Sequence, residues 1–199
     1  MTSTTNLGKV IATSDTSESN AKRDLYLTKD ISQESLDDVV KRINEINDFD
    51  KYQEELFKIH KQKYKRQPIK IHLSSYGGSV YCGLGLIGTI KSSKTPVHVI
   101  ASGKVMSMGF LITVAAHKSY ARPYTTFMYH ALSSMSRGQL GDLIDHVDEC
   151  NRLQVILDKI VTDNTSIPQK RLKKCQEKKF DWFMDTDTAL ELGVIKKVV

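Results

Sequence analysis

The hydrophobic positions change rhythm several times along the chain, and each change marks an element. Arg23 to Thr28 (RDLYLT) alternates polar and apolar, which predicts a short strand. Ser32 stands as an N-cap ahead of Leu36, Val39, Val40, Ile43 and Ile46, which share one helical face. Asn47 to Asp50 interrupts that face. A second amphipathic piece, with Tyr52, Leu56, Phe57 and Ile59, then runs into a basic stretch before Pro68. Ile69 to Leu73 predicts a strand, and Ser74 to Ser79 (SSYGGS) a glycine turn. Val80 to Ile90 predicts a helix with a small-residue face at Gly83, Gly85 and Gly88. Thr95-Pro96 breaks it, and Val97 to Ala101 (VHVIA) is the next strand. Gly103 to Gly109 reads as a turn, Phe110 to Ala116 as a helix, and Thr125 to Tyr129 as a strand. Gly138 to about Asp163 predicts a long helix, with Leu140, Leu143, Ile144, Val147, Leu153, Ile156 and Ile160 as candidates for burial. A short helix over 169–178, a helical turn at 188–192 stopped by Gly193, and a last strand over 194–198 complete the pattern.

Strands alternating with helices across short glycine turns predict βαβ units, a mainly parallel sheet and right-handed crossovers. The chain is therefore expected to be an α/β protein. Its 199 residues suit one domain, placed over 23–199, behind a polar, Ser- and Thr-rich segment 1–22 expected to be flexible. No internal repeat is visible.

Composition narrows the picture. No apolar run is long enough to cross a membrane, and the first residues lack a charged-then-apolar leader, so a cytoplasmic chain is expected. The net charge is +6, concentrated around Lys58 to Lys70 and Lys170 to Lys179. Neither run interleaves aromatics as a nucleic-acid stacking surface would, so both read as solvated faces. Cys82, Cys150 and Cys175 are odd in number and widely spaced, which fits free thiols better than a disulfide framework or a zinc site. No metal or cofactor is expected.

Candidate chemistry lies where parallel strands end and helices begin. Two turns qualify, Tyr76-Gly77-Gly78 and Val105-Met106-Ser107-Met108-Gly109. Ser107 stands between strand and helix with glycines near on either side, as a nucleophile elbow requires, although an ordinary N-cap is the plainer reading of a lone serine there. The N–H of Met108 would open a helix and suit a developing oxyanion, and the Gly77-Gly78 turn could supply a second donor. A serine nucleophile needs a base. His60, His72, His98, His117, His130 and His146 are available, and His130 ends a strand at the sheet edge expected to carry Ser107. Asp181, Asp185 and Asp187 share the C-terminal loop, and spacing does not choose among them.

From about Ile69 onward the chain resembles the proteolytic subunit of Clp protease. The resemblance is carried by SSYGGSVYCGLGLI, SGKVMSMGFLIT, TTFMYHAL and KKFDWFMDTDTALELGVIKKV, in the family's order and near its spacing. It implies a ClpP/crotonase-like fold of repeated βαβ units with a protruding handle, a strand plus a long helix, over about 132–163. It implies Ser107 as nucleophile, His130 as base and Asp181 as the acid, with Gly78 and Met108 as oxyanion donors. It further implies heptameric rings stacked as a tetradecamer, an AAA+ unfoldase of the ClpX/ClpA/ClpC type as partner, and unfolded chains or peptides as substrates. ATP would act only through that partner.

The family usually has Pro at Tyr76, Ala at Met106, Gln-Pro at Ala131-Leu132, and at Phe180 an Arg that couples ring assembly to the active site. The stretch from Asp50 to Gln67 is longer than usual. The chain thus resembles a divergent member, of the kind a phage or an organelle encodes. Three other readings compete: a phage capsid maturation protease of the same fold, a catalytically silent ring subunit, and a crotonase-type acyl-CoA enzyme.

Overall fold

A computed structural model of the chain describes residues 23–199, so the segment 1–22 expected to be flexible lies outside the described residues. In chain order the elements are β1 (Asp24–Leu27), α1 (Gln33–Ile59), β2 (Ile69–Ser75), α2 (Val80–Ser92), β3 (Val97–Met106), α3 (Met108–Ala115), β4 (Lys118–Ala121), β5 (Thr126–Tyr129), α4 (Leu140–Asn164), α5 (Gln169–Lys178), β6 (Trp182–Met184), α6 (Thr186–Glu191) and β7 (Lys197–Val198). This is the α/β alternation that the hydrophobic rhythm predicts.

The sheet runs β1-β2-β3-β4-β7, all parallel, with β5 also parallel to β3 and β6 antiparallel to β5. The core face of β2 and β3 presents Ile69, Ile71, Leu73, Val97, Val99, Ala101 and Val105, all fully buried. Strand β3 is longer than VHVIA because its edge is shared end to end. Residues 98–101 pair with β4 and residues 104–106 with β5. Gly103, at φ +63, lies between the two pairings. The stretch expected to be a turn from Gly103 is therefore mostly strand. Strand β4 has no apolar rhythm to announce it; Ser119 is buried there and donates to the carbonyl of Val194.

Helix α1 is continuous where the sequence pattern suggests a break. Asn47 and Asp50 interrupt the apolar face yet point inward, because polar partners meet them there. Asp50 is fully buried. It accepts two hydrogen bonds from Arg23 (2.5 and 3.1 Å), one from Tyr64 Oη (2.7 Å) and one from Thr95 Oγ1 (2.6 Å). Asn47 donates to Ser93 Oγ (2.8 Å), and Arg66 pairs with Glu54 (2.8 Å) while reaching Thr95 (3.1 Å). The first basic run is thus only partly a solvated face.

Three further expectations are revised. Of the three α2 glycines, only Gly83 meets a neighbour, the side chain of Met108, whereas Gly85 and Gly88 face open space. Along α4, Leu153, Leu157 and Val161 are buried, while Leu140, Ile144 and Val147 are exposed, so the apolar stripe leaves the core in the N-terminal half. The strand expected in the handle does not form: residues 131–139 are irregular, and no strand among the described residues ladders them.

Candidate active site

Helix α3 is apolar all round, and all eight of its residues are buried, so it is driven into the core from its first turn. Ser107 stands at its N-terminus with φ +53 and ψ −121, a conformation that costs a non-glycine residue about 1–3 kcal/mol. Its side chain caps nothing. An ordinary N-cap has extended φ and a capping hydroxyl, so that plainer reading fails on both counts. What holds the turn is β5: the Ser107 N–H donates to the carbonyl of Met128 (2.9 Å), continuing the ladder in which Met106 pairs with Met128.

The glycine turn closes over this point. A Cβ on Gly77 would lie 2.6 Å from Ser107 Cβ, 3.0 Å from the Met106 carbonyl and 3.1 Å from the Met108 nitrogen, and Gly77 has φ +110. Only glycine satisfies both constraints. The turn is secured from its other side by Ile31, whose N–H donates to the Gly77 carbonyl (2.7 Å) and whose carbonyl accepts from Ser79 N–H (2.8 Å). That parallel bridge turns the N–H of Gly78 away from Ile31. The N–H of Met108, first in α3, has no acceptor a turn earlier and no capping hydroxyl. Tyr76 is exposed beside this turn, with Lys104 Nζ 4.6 Å from its ring centroid.

Ladder register gathers the other two candidates. Strand β5 pairs antiparallel with β6 through Phe127–Met184, Met128–Phe183 and Tyr129–Trp182. Carried one residue further, that register sets His130 opposite Asp181, at the end of the strand that also holds Ser107. His130 is half-buried and Asp181 exposed. Among the described residues, the Ser107 hydroxyl, the His130 ring and the Asp181 carboxylate make no hydrogen bond to one another. The residues flanking Asp181 are anchored by Arg171, whose guanidinium lies 4.2 Å from the Trp182 ring centroid and 5.8 Å from that of Phe180. Arg171 thus departs from the expectation that the second basic run is all solvated.

The rival residues are engaged elsewhere. His72 bonds Asp24 (2.6 Å), and His117 Nδ1 accepts from Val97 N–H (3.0 Å). His146 lies between Ser134 and Cys150, His98 meets the Tyr120 ring, and His60 ends α1. Asp185 is the N-cap of α6, accepting from Thr188 N–H (2.8 Å), and Asp187 lies in that helix's first turn. The cysteines are free thiols, and among the described residues no cluster of His, Cys, Asp or Glu could hold a metal ion.

The family model for Clp protease matches residues 12–199 of this sequence. The chain belongs to the Clp protease family. An ATP-dependent Clp protease proteolytic subunit from Deinococcus radiodurans is 34% identical over 135 residues, covering 67% of this chain and 65% of the relative. The match therefore spans somewhat less than two thirds of that protein's length. Among solved structures, a ClpP1 mutant from Listeria monocytogenes superposes with a TM-score of 0.74 over 92% of this chain and 95% of that one, at 22% identity, a likeness of fold. No helix among the described residues of this Clp family member is long and apolar enough to cross a membrane.

One set of residues escapes motif reading altogether. Tyr129 and Asp158 are buried and hydrogen-bonded to each other (2.7 Å), directly beside the candidate base. The available signal was an acid at an inward position of α4, between the buried Leu157 and Val161.

Proposed function

We propose that this Clp-family chain is a serine endopeptidase subunit acting through an acyl-enzyme. His130 takes the Ser107 proton, Ser107 attacks the peptide carbonyl, and the N–H groups of Gly78 and Met108 hold the oxyanion. Asp181 orients the His130 ring and stabilises the imidazolium, and His130 returns the proton to the leaving amine. The observation that carries this reading is the backbone of Ser107: a serine held at positive φ, with a hydroxyl that caps nothing, on a turn that excludes any side chain at Gly77.

By resemblance, the subunits assemble into stacked heptameric rings, and an AAA+ unfoldase feeds unfolded chains to the enclosed sites. The exposed Leu140, Ile144 and Val147 on α4 supply an apolar surface for ring stacking. The unlinked triad in the single chain favours one second reading, a silent ring subunit.

A fluorophosphonate probe read by intact mass decides between them. The assembled protein is expected to take up one label per chain, and Ser107→Ala none, with peptide hydrolysis lost and the fold retained. An assembled wild type that takes no label and hydrolyses no peptide would sink the peptidase reading.

A further inference from the structure

We infer that Gln154 and Asp158 of α4 are positioning residues for His130, an inference that rests on the role of His130 proposed above. His130 follows β5 on irregular chain, yet the residues on both sides of it are held by these two side chains. Before it, Tyr129 Oη donates to Asp158 Oδ1 (2.7 Å). After it, the N–H of Leu132 donates to Gln154 Oε1 (2.7 Å). Gln154 closes the frame, its Nε2 donating to Asp158 Oδ1 (2.8 Å) and lying 3.2 Å from Tyr129 Oη. One turn apart on α4, Gln154 and Asp158 share a helix face.

The frame is itself braced. Asp158 Oδ2 accepts from Gln169 Nε2 (2.8 Å) and Gln176 Nε2 (2.7 Å), at the two ends of α5. Asp158 is 6% exposed, and among the described residues it forms no ion pair, so neutral amides and a phenol satisfy it. Buried acids normally recruit a cation, and a set of directional hydrogen bonds in its place specifies geometry. Burial, followed by the bond to Asp158, pushes the Tyr129 phenol well above its ordinary value, so it stays a donor. The Tyr129 ring also meets Phe110 of α3 edge-on, centroids 6.0 Å apart. The frame thus touches the helix behind the nucleophile and the chain on either side of the base.

A network that merely stabilised the fold would change melting and leave the chemistry of folded protein alone. A positioning frame changes the rate of folded protein, because a displacement of about 1 Å at a catalytic group can cost about 10²-fold. The experiment compares wild type, Gln154→Leu, Asp158→Ala and Asp158→Asn as assembled proteins. It reads fluorophosphonate labelling rate against pH, together with kcat and KM for a short peptide. Gln154→Leu and Asp158→Ala are expected to label at least about tenfold more slowly, with lower kcat, little change in KM and a shifted pH midpoint. Asp158→Asn is expected to recover most of the rate, since its amide oxygen accepts from Tyr129 while Gln169 and Gln176 turn their amides. Assembled Gln154→Leu labelling at the wild-type rate with the wild-type pH profile would overturn the inference. An unlabelled wild type would instead overturn the peptidase reading, and this one with it.

Discussion

Gly77→Ala adds a single methyl group at the point where the two functional turns meet. Its Cβ would lie 2.6 Å from Ser107 Cβ, where carbon atoms settle at about 3.5–4.0 Å, so one turn must move by roughly an ångström. The backbone at φ +110 adds strain of about 1–2 kcal/mol for any residue with a Cβ. At about 2–4 °C per kcal/mol for a chain of this size, the strain alone lowers Tm by several degrees and leaves a folded protein to assay. On the proposed role of Ser107, displacing it by that distance should slow fluorophosphonate labelling by about 10²-fold. Gly103→Ala is the control, because Gly103 also has positive φ but a Cβ there meets only Ser74 Oγ, at 3.6 Å. It should lose a similar amount of stability and label within about twofold of wild type. If Gly77→Ala stays folded and labels like Gly103→Ala, the idea that this glycine turn sets the position of Ser107 is wrong.

Two further outcomes follow from other parts of the fold. Asp50→Asn leaves the Arg23 guanidinium buried without its counter-charge and should cost about 3–5 kcal/mol in thermal or urea unfolding. Burial alone would raise the Asp50 pKa, but the bonds from Arg23, Thr95 and Tyr64 outweigh it and hold the carboxyl below its ordinary value. Its stabilisation is therefore present above the unfolded-state pKa near 3.8 and lost as pH falls through the lower folded value. The variant should show a flatter acid limb, and an unchanged limb would refute the assignment. Ile144→Lys places a charge on the exposed apolar stretch of α4 and should weaken the proposed ring stacking in analytical ultracentrifugation; an unaltered sedimentation profile would remove α4 from that interface.

Much of the architecture was legible because strands buried on one face and helices buried on one stripe impose their own periods. The reading failed where polar residues were buried or apolar ones were not. Asn47 and Asp50 resemble a helix break until Arg23, Thr95 and Ser93 are seen meeting them, and those partners come from distant segments. Leu140, Ile144 and Val147 fit a buried stripe, but the core ends before their half of α4. Strand β4, Lys118-Ser119-Tyr120-Ala121, has too little apolar character to be found without its ladder to β3. At the site, Ser107 and the glycine turn could be suspected from local chemistry. The candidate acid could not, since what favours Asp181 over Asp185 and Asp187 is the β5–β6 register, which no local pattern encodes. The Gln154–Asp158 frame is absent from any motif for the same reason: its partners lie on β5, on the segment after it and on α5.

The antiparallel attachment of β6 also sets an order in time. Strands β3 and β5, which Ser107 and His130 directly follow, are synthesised before β6 and are close enough in sequence to pair early. Strand β6 reaches β5 only after α4 and α5 have been made, so Asp181 joins Ser107 and His130 later in synthesis than they meet each other. Until then the nascent chain holds Ser107 and His130 without Asp181 beside them. On the proposed mechanism, the late place of one strand in the chain adds to ring assembly in withholding a destructive activity from the ribosome that makes it.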